Sequence, residues 1–408
     1  MTDVPLRRNR DFMLLQTGQL LSNTGTQATS IAYPLLVLAL THSPAKAGLV
    51  SFARALPAAF LGLPAGVAAD RWNRKQLMIA ADVVRALAIA FLAATILLHH
   101  VVFWEIPIVA FVEGAGSALF GAAQAGAMRA VVPLRQLPAA AGAKTGRDAA
   151  VLLAGPPLGG ALFSLARAVP FVVDALSYAC STIALLAMRT PFQQHRERSV
   201  ASLRTELAEG FRFLWGQPFL RTCALLFALG NFIGPSILFV LVVVGRRQGL
   251  SGGTIGVLVA AFGACLLLGS FLSPLVRRLL PVRGILLLEL WTWLGCVLFL
   301  VDPSVYVLAA SILPSALAIP STDSVVHGYR IAMTPDRLLG RAESVRSTIS
   351  LSIAPLGPLI AGILLATVSA RLTIAFFAAF SLLLLIWGTL SPSIRAAPRL
   401  DELAEAQV

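Results

Sequence analysis

Five ionisable side chains stand out inside long apolar runs of this sequence: Arg54, Asp82, Arg85, Glu113 and Asp323. An ionisable group in hydrocarbon costs several kcal/mol, so a charge at such a position is a functional candidate. A carboxyl group there can carry a proton or bind a cation, and a guanidinium can neutralise a carboxylate or bind an anionic solute. The chemistry that these residue types favour is the movement of charge or solute across a membrane.

The individual positions allow different roles. Glu113 lies near the middle of its apolar run and is either a coupling or substrate-site acid or the structural partner of a cation such as Arg54. Arg54 has no carboxylate close to it in sequence, so it reaches the interface, pairs with another helix or binds an anionic substrate. Asp82 and Arg85 are one helical turn apart and are predicted to pair. Three acids nearer the ends of apolar runs are predicted to be structural: Asp148, Asp174 and Glu289.

The composition indicates which elements position these groups. Of 408 residues, 57% are apolar and only 12% are charged, and the mean hydropathy is +0.82. A soluble domain carries about 25% charged residues, so most of this chain's outer surface must face lipid. An apolar helix of about 20 residues crosses the bilayer. We predict an all-α membrane protein with twelve such spans, at residues 14–40, 48–69, 77–98, 103–127, 140–163, 169–188, 219–244, 254–276, 284–301, 304–326, 341–366 and 372–391.

The distribution of basic residues predicts the orientation of the chain. Of 32 Lys and Arg residues, 25 lie on one set of alternating segments or at the span ends that adjoin them, and this set includes both ends of the chain and the central loop. Basic residues accumulate on the cytoplasmic side of membrane proteins, so both termini are predicted to be cytoplasmic. The same distribution explains the net charge of +13 without a nucleic-acid partner. The five basic residues on the opposite side are Lys46, Arg167, Arg246, Arg247 and Arg371.

The longest polar stretch divides the spans into two groups of six. We predict an N-terminal six-helix bundle at residues 1–188, a cytoplasmic central loop at residues 189–217, and a C-terminal six-helix bundle with a short tail at residues 218–408. Within the loop, residues 202–215 are predicted to form an amphipathic helix on the membrane surface. Its apolar face would carry Leu203, Leu207, Phe211 and Leu214.

The two halves resemble each other. Pro335 follows Pro133 by 202 residues, and at the same spacing Gly155-Pro156 corresponds to Gly357-Pro358. A gap-free correspondence of this kind indicates that the halves share an ancestor. Many secondary transporters are built from internal repeats, with the substrate site near mid-membrane between them. Asp323 lies at the place in the repeat that is related to the fourth span.

The loop between the second and third spans carries the segment Gly66-Val-Ala-Ala-Asp70-Arg71-Trp-Asn73-Arg74-Lys75. This segment resembles the G-x-x-x-D-R-x-G-R-[RK] loop of the major facilitator superfamily, at the place where that family has it. We expect Gly66 to allow a close helix approach and Asn73, which replaces the usual Gly, to adopt left-handed backbone geometry. The resemblance implies two pseudo-symmetric six-helix bundles and a conformational role for Gly66, Asp70, Arg71, Arg74 and Lys75, with Asp82 and Arg85 stabilising the loop.

The fifth span contains Gly155-Pro156-Pro157-Leu158-Gly159-Gly160. It is similar to the G-x-x-x-G-P-x-x-G-G signature of the superfamily's antiporters, although Val151 replaces the first glycine. Proline bends a helix and small residues allow close packing, which suits a helix that moves between outward-facing and inward-facing states. The alternative is a packing kink without that role. As a whole the chain is most similar to twelve-span bacterial exporters of drugs, macrolides and siderophores.

The resemblance implies a secondary active transporter that exports amphiphilic small molecules in exchange for protons by alternating access. The alternative is a gradient-driven importer or facilitator of a small polar solute. We expect a monomer in the bacterial inner membrane, with a small-molecule substrate and protons as the coupling ion. The cavity would be lined by spans 1, 4, 7 and 10, and the candidate substrate or coupling residues are Asn23, Gln27, Arg54, Glu113, Asn231, Phe232 and Asp323.

No residue pattern favours another source of energy or a catalytic role. The segment Gly142-Ala143-Lys144-Thr145 lacks the glycines that a phosphate-binding loop requires, so we do not expect nucleotide-driven transport. The five histidines show no metal-ligand spacing, and the four cysteines all lie in apolar spans. We therefore expect no enzyme activity, no cofactor and no metal.

Overall fold

In a computed structural model of the chain, residues 5–190, 192 and 203–396 are described. All regular elements in these ranges are helical, and ten of the helical segments are long and apolar enough to cross a membrane. The helices are α1 Arg10–Thr41, α2 Pro44–Arg71, α3 Arg74–Leu97, α4 Glu105–Val131, α5 Leu137–Leu165, α6 Val169–Ala187, α7 Leu203–Gly216, α8 Pro218–Arg247, α9 Gly252–Leu279, α10 Val282–Trp293, α11 Leu298–Val301, α12 Val305–Met333, α13 Asp336–Ile353, α14 Leu356–Thr367, α15 Ala370–Leu390 and α16 Pro392–Arg395.

Each of the twelve predicted spans contains a helix. The first two, α1 and α2, are 32 and 28 residues long but are not among the ten apolar candidates. Polar residues on α1 and the charges and prolines of α2 lower their apolar character. The eleventh span is broken at Pro355, where α13 ends and α14 begins, because proline interrupts the helical hydrogen-bond ladder.

Polar side chains fix where several of the helices begin. In each case a side-chain oxygen accepts a hydrogen bond from a backbone N–H of the first helical turn, which would otherwise have no partner. The capping residues of this kind are Asn9, Ser43, Asn73, Ser304 and Ser369.

The chain forms two compact units. Among the described residues, the first unit comprises residues 5–190, 192 and 245–260, and the second comprises residues 203–244 and 261–396. In the first unit α1 packs against α5 and α6, α2 packs against α4, and α3 packs against α4 and α6. In the second unit α10 packs against α12 and α15. Residues 245–260, which include the start of α9, therefore belong to the first unit.

The internal repeat has the same backbone geometry in both halves. The residue that caps the end of α4, Val132, has φ −116° and ψ 129°, and the residue that caps the end of α12, Thr334, has φ −108° and ψ 122°. The prolines that follow, Pro133 and Pro335, share a φ of −57° and start the next helical turn with ψ values of 145° and 141°. Proline fixes φ near this value and cannot continue a preceding helix, so the repeated dipeptide stops one helix and starts another.

The predicted surface helix is present as α7, which packs against α13 in the second unit. Glu209 on α7 pairs with Arg341 on α13, and Gly210 lies directly against the Arg341 carbonyl group. Leu214 is buried, whereas Phe211 is exposed and stacks on Trp215 with ring centroids 4.7 Å apart. The side chains of residues 203–207, which include two of the predicted apolar positions, lie outside the described part.

Asp11 fastens the start of α1 to the chain segment that follows α6. Its Oδ2 accepts hydrogen bonds from the backbone N–H of Arg189 at 3.1 Å and of Thr190 at 2.7 Å, and from the Thr190 hydroxyl. Burial alone would raise the pKa of Asp11, but these hydrogen bonds outweigh burial and hold the pKa below its ordinary value. The residue lies ahead of the first predicted span.

The lowered pKa of Asp11 makes this contact pH-dependent. A group whose pKa falls on folding adds stability above its unfolded pKa, and that stability is lost as pH falls through the folded value. We expect Asp11→Asn to destabilise the protein by about 2 kcal/mol near neutral pH, because hydrogen bonds to a charged acceptor are lost. Thermal unfolding in detergent should show that the difference in stability between the wild type and Asp11→Asn becomes smaller as the medium is acidified. A difference that is independent of pH would contradict the assignment.

Candidate functional site

An ion pair joins α2 to α4 inside the first unit. Arg54 Nη2 lies 2.8 Å from Glu113 Oε1, and Arg54 Nε donates to both Glu113 oxygens at 3.2 and 3.3 Å. Glu113 is only 1% exposed, whereas the Arg54 side chain is 22% exposed. Arg54 Nη2 also donates to the backbone carbonyl of Thr26 on α1 at 2.9 Å. The sequence left open whether Glu113 is paired, and the structure shows that it is.

Two glycines on α4 make room for this charged layer. A Cβ on Gly114 would overlap the backbone carbonyl of Arg54, so α2 and α4 are in close backbone contact next to the ion pair. A Cβ on Gly116 would collide with the side-chain carbons of Arg85 on α3. Small residues at helix contacts allow the backbones to approach, and here they bring cations from two helices alongside Glu113.

Tyr178 on α6 connects Glu113 to α1. Its hydroxyl lies 2.8 Å from Thr26 Oγ1 and 3.5 Å from Glu113 Oε1. The ring of Tyr178 is fully buried and lies under the guanidinium of Arg85, whose Cζ is 4.3 Å from the ring centroid. Sequence reasoning missed this tyrosine, because an isolated tyrosine in an apolar span carries no local signal of the partners that folding brings to it.

Asp82 and Arg85 form the ion pair within α3 that their spacing predicted. Both are buried, with exposed fractions of 0% and 3%. Arg85 also donates to Ser117 Oγ on α4 at 3.2 Å and lies 5.1 Å above the ring centroid of Phe120. Its charge is therefore shared among a carboxylate, a hydroxyl and two aromatic faces, which compensates for its removal from water.

Asp174 on α6 is the third carboxyl group of this region. It is 0% exposed, and Thr29 Oγ1 donates to its Oδ2 at 2.9 Å while Ser177 Oγ donates to its Oδ1 at 3.2 Å. Within the described part of the chain it forms no ion pair with Lys or Arg. Sequence reasoning placed Asp174 near the end of a span as a structural residue, but the described side chains place it beside the two charged pairs.

The other candidate residues are divided between the two units. Asn23 and Gln27 lie on α1 in the first unit and are partly exposed. In the second unit Asn231 donates to Ser350 Oγ at 2.6 Å, and Phe232 is only 6% exposed because it packs against Phe377 and Phe380.

Asp323 is exposed on α12 and makes no hydrogen bond or ion pair to a described residue. The charges that act on it lie on Glu289 and Arg346. Glu289 borders a cavity of about 20 Å³ among α8, α10 and α12, which is roughly the room that one water molecule needs.

Two expectations for the loop after α2 were wrong. A Cβ on Gly66 would meet no heavy atom within 4 Å, so Gly66 does not mark a close helix approach, which occurs instead at glycines of α4. Asn73 has φ −64° and ψ 114°, which is extended rather than left-handed geometry. Its side-chain oxygen accepts hydrogen bonds from the N–H groups of Lys75 and Gln76, so Asn73 caps the start of α3.

The basic residues of this loop bind backbone carbonyl groups of the first unit. Arg74 Nε donates to the carbonyl of Ala69 at 3.1 Å, and its guanidinium lies against Gly126 of α4. Lys75 Nζ donates to the carbonyl of Met188 at 2.7 Å and so stabilises the negative end of α6. Arg71 is exposed, and the side chain of Asp70 lies outside the described residues.

The three glycines of the Gly-Pro motif in α5, at positions 155, 159 and 160, lie directly against other helices. Gly155 lies against Gln27 and Gly159 against the carbonyl of Ala28, both on α1. Gly160 lies against the carbonyl of Gly252, at the start of α9 in the part that belongs to the first unit. In that same part a Cβ on Gly256 would overlap the carbonyl of Pro156. The motif therefore permits contacts on two faces of one helix, to α1 and to residues 252–256.

The described residues contain no group of three or more His, Cys, Asp or Glu side chains that could hold a metal ion. The arrangement in the first unit offers buried carboxyl groups, two guanidiniums and neighbouring hydroxyls. Such groups can exchange a proton or balance the charge of a bound solute, because each change of charge in a poorly solvated place alters the interactions of its neighbours.

Comparisons with known sequences agree with the motifs. Residues 2–406 match a family described as transmembrane secretion effector. The multidrug efflux pump Tap of Mycolicibacterium fortuitum is 27% identical over 417 residues, which cover 96% of this chain and 97% of that one. Macrolide efflux protein A of Streptococcus pyogenes is 25% identical over 205 residues, which cover 50% of this chain and 51% of that one.

Comparison with solved structures identifies the fold. A bacterial homologue of the iron transporter ferroportin in its inward-facing state superposes with a TM-score of 0.74 at 17% identity, covering 95% of this chain and 99% of that one. At this identity the likeness shows the fold alone, which is that of the major facilitator superfamily. The molecule is accordingly a multi-pass membrane protein of a transporter fold.

The contact of Gly159 with α1 predicts the effect of adding one methyl group. We expect Gly159→Ala to destabilise the protein by about 1–3 kcal/mol, because the new Cβ meets backbone atoms that cannot rotate away. Gly142→Ala on the same helix is the matched control, since a Cβ there meets open space. The control should be neutral or stabilising by up to about 1 kcal/mol, as alanine favours helix. Equal thermal unfolding midpoints for the two variants would contradict the close packing.

The pairing of Arg54 with Glu113 predicts non-additive effects of substitution. Arg54→Gln and Glu113→Gln should each destabilise the protein by about 3 kcal/mol, because each leaves a poorly solvated charge uncompensated. The double variant should be distinctly more stable than the sum of the two losses implies. Thermal unfolding of all four proteins in one detergent provides the comparison, and a double variant that loses the full sum would refute the ion pair.

Proposed function

Because the chain belongs to the family of transmembrane secretion effectors, we propose that it is a proton-driven exporter of amphiphilic small molecules. The observation that carries the proposal is the group of buried charges in the first unit, where Glu113 and Asp174 are 1% and 0% exposed. Charged groups are costly in a membrane interior and are retained where they serve transport. A carrier driven by protons needs acids that are shielded from water, and these residues meet that need.

Two further features support export. Relatives that align with this chain are named as a multidrug efflux pump and a macrolide efflux protein. The Gly-Pro segment of α5, with glycines in contact on two faces, resembles the antiporter signature of the superfamily. Amphiphilic drugs and macrolides combine large apolar surfaces with a few polar groups, and the amides of Asn23 and Gln27 on α1 are suited to such solutes.

Within this proposal the two six-helix bundles at residues 1–188 and 218–408 alternate access to a central site, with the central loop at residues 189–217 between them. The transporter lies in the bacterial inner membrane with both termini in the cytoplasm, as the distribution of basic residues favours. It acts as a monomer, and Asp323 on α12 is the candidate coupling acid of the second half. No specific observation favours the alternative of an importer or facilitator of a polar solute.

The proposal predicts energy-dependent loss of drug from cells. Cells that express the protein should retain less of a fluorescent lipophilic cation such as ethidium, and less of a macrolide, than cells with the empty vector. An uncoupler should abolish the difference, because it removes the proton gradient. Equal retention with and without the protein would refute export, and greater retention in expressing cells would favour the importer.

A pair of variants links this activity to the buried charges. Glu113→Gln should abolish the uncoupler-sensitive efflux, while Asp302→Asn, which changes an exposed loop carboxylate, should leave it unchanged. The amount of each variant in the membrane is measured in the same cells, so that loss of activity is separated from loss of protein. Full efflux by Glu113→Gln would remove Glu113 from the mechanism.

A further inference from the structure

The charged side chains clustered around Glu113 in the first unit do not balance. Two cations, Arg54 and Arg85, lie among three carboxyl groups, Glu113, Asp82 and Asp174. Four of these five residues are no more than 3% exposed. An unbalanced charge in such a place is far more costly than in water, so the cluster needs one further positive charge. A proton on one of the three carboxyl groups supplies it.

The ion pairs indicate which carboxyl group is left over. Glu113 is held by Arg54, and Asp82 is held by Arg85. Asp174 forms no ion pair with a described Lys or Arg, and the cations that act on it from a distance are those same two arginines. Its hydrogen-bond partners are two hydroxyl groups, which can serve a neutral acid as well as an ionised one. We propose that Asp174 is the proton-binding residue of this transporter.

The hydroxyl partners suit both states of Asp174. When Asp174 is ionised, Thr29 donates to Oδ2 across 2.9 Å. When Asp174 is protonated, its own O–H donates to Thr29 Oγ1, and the Thr29 hydroxyl turns to the carbonyl of Thr26 at 3.0 Å or of Gly25 at 3.2 Å. Every polar atom keeps a partner in either state, so the proton can come and go without leaving a buried group unsatisfied.

The packing around Asp174 leaves it little freedom to find another partner. A Cβ on Gly25 of α1 would overlap Asp174 Oδ1 and lie 2.5 Å from Ser177 Oγ, so the carboxyl group fills the space that this glycine leaves. The titratable and charged side chains that interact electrostatically with Asp174 are Tyr33, Arg54, Arg85, Glu113 and Tyr178, and Asp82 is the ion-pair partner of Arg85.

Infrared difference spectroscopy of the protein in lipid tests this assignment without a transported substrate. The wild type should show the C=O stretching band of a protonated carboxylic acid, which disappears at high pH. Asp174→Asn should lose this band, and Asp302→Asn, which alters an exposed carboxylate, should keep it. A band that persists in Asp174→Asn overturns the proposal.

A second pair of variants separates Asp174 from Glu113, because Asp174→Asn also changes the charge balance felt by Glu113. Thr29→Val removes the hydroxyl next to Asp174 and no charge, so the band should shift in frequency. Tyr178→Phe removes the hydroxyl near Glu113 and should leave the band in place. The reverse pattern, a shift with Tyr178→Phe alone, would assign the proton to Glu113 and refute the proposal.

This inference rests on the proposed function only for its role in coupling, and the two can fail separately. If cells show no uncoupler-sensitive efflux but the band shifts with Thr29→Val, proton binding by Asp174 stands and proton-driven export is wrong. If efflux is uncoupler-sensitive and the C=O stretching band is unchanged in Thr29→Val and Asp174→Asn, export stands and Asp174 is not the proton-binding residue.

Discussion

Charge compensation in a poorly solvated interior is the constraint on which the first unit depends. The Arg54–Glu113 pair joins α2 to α4, and its extra bond from Arg54 to the Thr26 carbonyl brings in α1. The short distance between the partners requires the helix backbones to be close, which the glycine at position 114 permits. The helix packing and the electrostatics of this region therefore depend on each other, because neither the ion pair nor the close helix approach is favourable alone.

Much of the fold follows from local patterns of the sequence. The spans can be predicted because crossing a bilayer requires long apolar helices, whose ends are marked by polar caps and prolines. The Asp82–Arg85 pair was predictable because residues three apart meet on one helix face. The repeat was equally predictable from the sequence, since proline restricts the backbone in the same way at positions 133 and 335.

The composition of the site was less predictable. Sequence reasoning placed Glu113 and Arg54 among the candidates from their positions in apolar runs, and it left their pairing as one of several possibilities. It did not find Tyr178, and it set Asp174 aside, because their partners Thr26 and Thr29 lie on α1, more than a hundred residues away. Contacts of that kind depend on helix rotation and depth, which apolar periodicity defines only loosely.

The errors at Gly66 and Asn73 have a related cause. A glycine in a helix is compatible with close packing, with a turn or with neither, and the sequence alone does not distinguish these. Asparagine is suited both to left-handed turns and to helix caps. At position 73 the asparagine is a helix cap, because the two N–H groups that start α3 need an acceptor and its side-chain oxygen provides one.

One short stretch of α1 touches both special regions of the first unit. Gly25 and Thr29 contact Asp174, while Gln27 and Ala28 on the other side contact the glycines of α5. Several of these contacts involve helix backbone atoms, which the helical hydrogen bonds hold in place, and packed interiors transmit strain. The gain or loss of a proton by Asp174, beside Thr29, can thus be converted into movement of α5 and of residues 252–256. The absence of side chains, rather than any particular side chain, would then be what makes this part of the molecule mechanically stiff.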